Sequence, residues 1–133
     1  MNRSEAVVSV EVSSYRDLRV WQDAMDLAEA AFLLTRSFPK EELFGMTAQI
    51  RRAAASIPAN IAEGNGREQT RPYIQSLRIA QGSLKELETH LLLAGRVGLV
   101  AAAEVNTLLV RCDGLGRMLR SLIRTLQRRD AES

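Results

Sequence analysis

The sequence predicts an all-α protein, an up-down-up-down antiparallel four-helix bundle over residues 15–129 with tails at 1–14 and 130–133. Three observations carry that prediction. Apolar residues recur at spacings of three and four through four successive segments. Alanine, leucine, arginine and glutamate, all strong helix formers, dominate, while aromatic residues make up only 5% of the chain. Short breaks marked by Gly or Pro separate the segments, and short turns make consecutive helices antiparallel. A chain of 133 residues fits one domain and is long enough to bury a single core.

The opening stretch, MNRSEAVVSVEVSS, sets Val7, Val8, Val10 and Val12 where no partner strand follows. It reads as a mobile tail, with a short strand as the alternative. In helix one, Val20, Ala24, Leu27, Ala31, Leu34 and Phe38 draw one apolar stripe, and Trp21, Met25, Ala28 and Phe32 draw a second beside it. Asp17 is the expected cap, and Pro39 ends the helix because the residue before a proline is driven out of the α region.

Helix two is expected from about Glu41 to Asn65. Met46, Ile50, Ala54, Ile57 and Ile61 keep one phase straight past Pro58, so the proline belongs inside one kinked helix. It frees the carbonyl of Ala54 and costs roughly 3 kcal/mol in a plain helix, which packing or a use for the bend must offset. Gly64 and Gly66 are expected to end the helix in the left-handed cap conformation.

Helix three should start at Thr70, with its hydroxyl as cap and Pro72 in the permissive first turn. Leu77, Leu84, Leu87, Leu91 and Ala94 form its buried face, and Gly98 closes it. Helix four follows from about Ala101, with Val105, Leu108, Cys112, Leu115, Leu119, Leu122 and Leu126 in heptad-like spacing.

Composition narrows the function. The single cysteine, Cys112, lies on an apolar face and reads as a small buried hydrophobe. No signal peptide is visible, and the longest apolar stretch, 91–103, is too short and interrupted to span a bilayer. The expected location is the cytoplasm, with no membrane partner. No Gly-x-Ser-x-Gly turn or phosphate-binding loop occurs, and GNGR at 64–67 follows a helix rather than a strand. His90 has Glu86 four residues before it, but a di-metal bundle site needs a second histidine and zinc needs three or four ligands. The expectation is therefore no enzyme, no catalytic residue, no metal and no cofactor.

Charge is more telling than its total of +2. Residues 111–129 hold six arginines against Asp113, whereas residues 17–42 hold six acids against three bases. Arg117, Arg120, Arg124 and Arg128 step by three, four and four, which makes a cationic ridge about 16 Å long. Arginine suits phosphate because its planar fork donates two hydrogen bonds and keeps its charge. The ridge thus reads as a nucleic-acid contact; the other reading is a solvated stripe that complements the helix dipole. Interleaved aromatics are missing, so contact with RNA or DNA would be backbone-directed and salt-sensitive.

On helix two, Gln49, Arg52, Ser56, Asn60 and Glu63 share one stripe opposite the isoleucines, with Arg67 just beyond. That stripe is either a solvated face or a polar seam toward another subunit or ligand, its angle set by the proline bend. The double stripe of helix one, including Trp21 and Phe32, exceeds what one bundle seam needs and marks an oligomer interface.

Three blocks, YRDLRVWQDAMDLA at 15–28, FGMTAQIRRAAASIPANIAEGNGR at 44–67 and YIQSLRIAQGSLKELET at 73–89, resemble the bacterial four-helix-bundle proteins first met as products of intervening sequences in 23S ribosomal RNA genes. The resemblance covers about residues 15–126, and its middle block is the most specific. Gln49, Arg51, Arg52, Ser56, Pro58, Asn60, Glu63, Gly64, Gly66 and Arg67 match the family signature. The resemblance implies a small non-enzymatic protein that assembles as a ring-shaped homopentamer. A more distant likeness, to the accessory variability proteins of diversity-generating retroelements, implies basic pentamers that bind nucleic acid and a reverse transcriptase. A scaffold that binds only protein is the alternative function.

Overall fold

The computed structural model describes residues 14–132, and the tail expected over 1–14 lies outside the described residues apart from Ser14. Ser14 caps a short 3-10 turn, Tyr15–Asp17, its hydroxyl accepting from the Arg16 N–H at 3.1 Å. Helix α1 then runs Arg19–Thr35 with extended Leu18 as its N-cap. Asp17, expected to cap α1, is instead consumed in the preceding turn, and no side chain caps α1.

A second 3-10 turn, Lys40–Glu42, precedes α2, Met46–Gly66. The expected start near Glu41 is too early, because Gly45 leaves the helical region (φ −106, ψ −111). Glu42 then caps α2 by accepting the Met46 N–H on its carboxylate at 3.2 Å. From there α2 continues unbroken through Pro58, which is buried beside Ala54, Ile57 and Ile61. Neither Gly64 nor Gly66 is left-handed, so the expected glycine cap is replaced by extended Arg67.

Helix α3, Thr70–Arg96, begins at Gln69 with no side-chain cap, so Thr70 is its first helical residue rather than its cap. Its far end is the glycine cap that the sequence does encode. Gly98 takes φ +85, the Leu99 N–H donates to Ala94 O at 2.9 Å and the Gly98 N–H to Gly95 O at 3.2 Å. This pair of bonds is a Schellman closure, which satisfies carbonyls that a helix end otherwise orphans. Helix α4, Ala102–Glu132, is the longest, so residues 130–132, expected as a tail, are helical.

All regular structure among the described residues is helical, and none of these helices is long and apolar enough to cross a membrane. Helix α1 packs on α2 and α4, and α3 packs on α2 and α4, which closes a four-helix bundle. Arg71 at the start of α3 pairs with Asp130 near the end of α4 at 3.1 Å, as antiparallel neighbours must. Leu27, Ile50, Ile57, Ile61, Leu77, Leu84, Leu87, Leu91 and Leu119 are fully buried together. Each such side chain contributes about 1.5–3 kcal/mol relative to exposure.

Candidate nucleic-acid interface and neighbouring groove

The buried residues of α4, Leu108, Cys112, Leu115, Leu119, Ile123 and Leu126, fix its orientation and turn the opposite face to solvent. Arg117, Arg120, Arg124 and Arg128 all sit on that outward face and are exposed. Three other arginines form ion pairs: Arg19 with Asp23, Arg67 with Glu63 and Arg71 with Asp130. Among the described residues, none of the four ridge guanidiniums meets a carboxylate; Arg128 donates only a long bond, 3.4 Å, to the Thr125 hydroxyl. Arg111, part of the same basic run, turns aside to the α1–α4 seam near Asp23 and Asp26. Four of the six arginines of 111–129 therefore form the ridge, with no carboxylate partner among the described residues.

The polar stripe of α2 lies on the flank beside α3 rather than opposite the isoleucines. Ser56 hydrogen-bonds Ser83 of α3, and Asn60 Nδ2 donates back to the Ser56 carbonyl at 2.8 Å. Arg52 donates to Gln49 at 3.2 Å, and Arg67 to Glu63 at 3.1 Å. Ser56 and Pro58 are two residues apart, about 160° around the helix, so they face different neighbours. The stripe is satisfied largely within the subunit.

Pro58 faces α1. With Ala55, Ala59 and Ala62 it forms one wall of an open apolar groove of about 600 Å³, whose other wall is Tyr15, Trp21, Met25 and Phe32. The structure thus brings Trp21 and Phe32 together with Pro58. Trp21 meets the Tyr15 ring edge-on at 5.3 Å, while Phe32 remains 40% exposed. Arg51 closes one end: its guanidinium lies 5.0 Å over Phe32, and its Nε donates to the Thr35 hydroxyl at 2.8 Å. Thr35 is only 2% exposed, so Arg51 fastens the end of α1 to α2. Met25 belongs to the second stripe read on helix one, whereas sequence reading missed the three alanines as the facing groove wall. The spacing of Ala55, Ala59 and Ala62 on one side of α2 was the available signal.

Two further polar or nucleophilic side chains, Cys112 and His90, lie on the inner parts of α4 and α3. Burial first, then the Glu88 and Asp113 carboxylates, pushes the Cys112 thiol from 9.0 up to about 12. His90 Nε2 is 3.7 Å from Glu86, and no cluster of three or more metal-ligating side chains occurs among the described residues. Gly64 has a packing role: a Cβ there would stand 2.7 Å from the Ser76 Cβ and 2.8 Å from Tyr73 Cδ1. Gly66, two residues on, meets nothing within 4 Å.

The described residues thus form an antiparallel four-helix bundle with a cationic outer ridge and an apolar groove. The model of the 23S rRNA-intervening sequence protein family matches residues 16–121, and the chain belongs to that family. A crystal structure of a protein of unknown function from the S23 ribosomal protein family of Bacteroides thetaiotaomicron has the same fold, with a TM-score of 0.71. It is 23% identical over 78% of this chain and 97% of that one. Among curated proteins there is no significant match.

Proposed function

We propose that this chain is a non-enzymatic, cytoplasmic accessory protein that assembles with copies of itself and binds nucleic acid or a ribonucleoprotein through its basic surface. The carrying observation is the ridge of Arg117, Arg120, Arg124 and Arg128, exposed and without carboxylate partners among the described residues. Four cations without carboxylate partners on one helix face attract phosphate, and each phosphate bound releases counterions. Titrating salt against binding to generic RNA and DNA tests this. A steep fall in affinity supports the reading, and a flat response with no binding removes it.

Self-assembly is supported by the groove between α1 and α2, where Trp21, Met25 and Phe32 leave an apolar surface that a second copy can cover. Five subunits is the number the family resemblance implies. The same groove favours a second reading, a protein-interaction scaffold in which the partner, a reverse transcriptase or another protein, docks there and nucleic acid has no role. The salt titration separates the two readings, because a scaffold gives no phosphate-dependent slope.

A further inference from the structure

The shape and chemistry of the ridge go further than charge alone. The six aromatic residues of the chain, Tyr15, Trp21, Phe32, Phe38, Phe44 and Tyr73, all precede α4. The exposed residues interspersed with the ridge arginines are Ser121 and Gln127, which can contact phosphate or sugar but cannot stack a base. Surfaces that grip single strands combine a concave cationic channel with aromatic platforms for successive bases. Here the cations stand on the outer face of α4, opposite its buried side, with no groove wall beside them among the described residues that carries an aromatic ring.

We propose that the ridge is a duplex-tracking site, which takes the sugar–phosphate backbone of double-stranded nucleic acid and discriminates against single strands. This rests on the nucleic-acid reading above. A duplex presents one charge per about 1.7 Å of axis, twice the density of one strand. Over the roughly 16 Å ridge, about ten duplex charges lie along the four guanidiniums, against about five from a single strand at the same rise per nucleotide and fewer if that strand extends. The duplex also holds its phosphates in place before binding. A single strand must be ordered at the surface, and with no ring to stack on nothing offsets that lost freedom. Base edges are out of reach of a row that follows the backbone, so the preference is for strandedness and not for sequence.

The test measures anisotropy of labelled DNA and RNA duplexes of about 20 base pairs, and of their separated strands, between about 50 and 200 mM salt. The expected result is duplex binding about tenfold tighter than either strand, with a log–log salt slope near −3.6 for four phosphate contacts. The Arg120→Gln/Arg124→Gln variant changes only exposed side chains. It should flatten the duplex slope by about two units and remove the preference. Single strands binding as tightly as duplex, or a duplex preference that survives in the variant, overturns the inference while leaving nucleic-acid binding in place. If neither form binds at low salt, the reading beneath it is overturned as well. Comparing the DNA and RNA arms identifies which duplex is the source.

Discussion

Gly64 of α2 lies so close to Ser76 of α3 that a Cβ on the glycine would stand 2.7 Å from the serine Cβ, with the Tyr73 carbonyl at 3.3 Å behind it. The glycine is there for the crossing of two helices, since its own backbone is ordinary helix. Gly64→Ala gains helix propensity of up to about 1 kcal/mol but forces overpacking that costs about 1–3 kcal/mol. Net destabilisation of about 1–2 kcal/mol is expected by urea unfolding. Gly66→Ala, in open space, should be neutral or stabilising by up to about 1 kcal/mol. Equal and favourable effects at both positions would remove the close crossing as an explanation.

Arg51 is expected to act on stability before it acts on any partner. Arg51→Met deletes the bond to Thr35 and the cation over Phe32, for about 1–2 kcal/mol together. Arg51→Lys keeps the charge but not the planar fork, and should recover less than half of the loss. Thermal unfolding of the two variants at equal subunit concentration checks this; a lysine variant as stable as the parent would mean that charge alone suffices.

The Cys112 thiol supplies a pH dependence with a definite sign. Its folded pKa is raised, so the unfolded chain ionises first as pH increases. The stability associated with the neutral buried thiol is whole below pH 9 and is lost progressively from 9.0 toward about 12. Unfolding free energies across that window should fall more steeply for the parent than for Cys112→Ala. Native protein at neutral pH should also resist thiol reagents that modify the urea-unfolded chain rapidly.

Pro58 stands between two opposing effects. Pro58→Ala restores a hydrogen bond to the Ala54 carbonyl, which favours the isolated helix by up to about 3 kcal/mol. The same change removes ring surface from the groove wall opposite Trp21 and Phe32 and relieves any bend the proline imposes. Helical content should survive while self-assembly, measured by light scattering across micromolar concentrations, weakens. A variant that assembles like the parent and melts higher would assign the proline no part in the interface.

The fold was legible because bundle helices write their buried faces as a period. Val20 to Ala31, Ile50 to Ile61 and Leu77 to Leu91 all fall inside where the spacing put them. Helix ends were less legible, since a cap depends on which of several candidate residues the chain geometry selects. Ser14 caps a turn while Asp17 does not cap α1, and Glu42 caps α2 from outside the helix. The glycine rule succeeded at Gly98 and failed at Gly64, because sequence does not distinguish a positive φ from a close approach by a helix that comes later in the chain. The exposure of the ridge was legible for the same reason as the fold: it is the complement of a strong apolar stripe. The division of α2 into a serine flank toward α3 and a proline flank toward α1 required knowing which neighbour stands on which side.

Three of the four helix contacts join neighbours in the chain, and the fourth, α1 with α4, joins its two ends. The first three can form by local search, with little loop-closure entropy to overcome. Docking of α1 on α4 closes nearly the whole chain, across a seam where cavities open beside Leu33, Arg111 and Met118. That seam should be the last to form in folding and the first to breathe in the native state. Amide hydrogens of α1 are then expected to exchange through a partial opening well below the global unfolding energy, while those of α2 and α3 wait for complete unfolding. Such an opening exposes the inner face of α4, on the side of the helix away from the ridge, without disturbing the central α2–α3 hairpin.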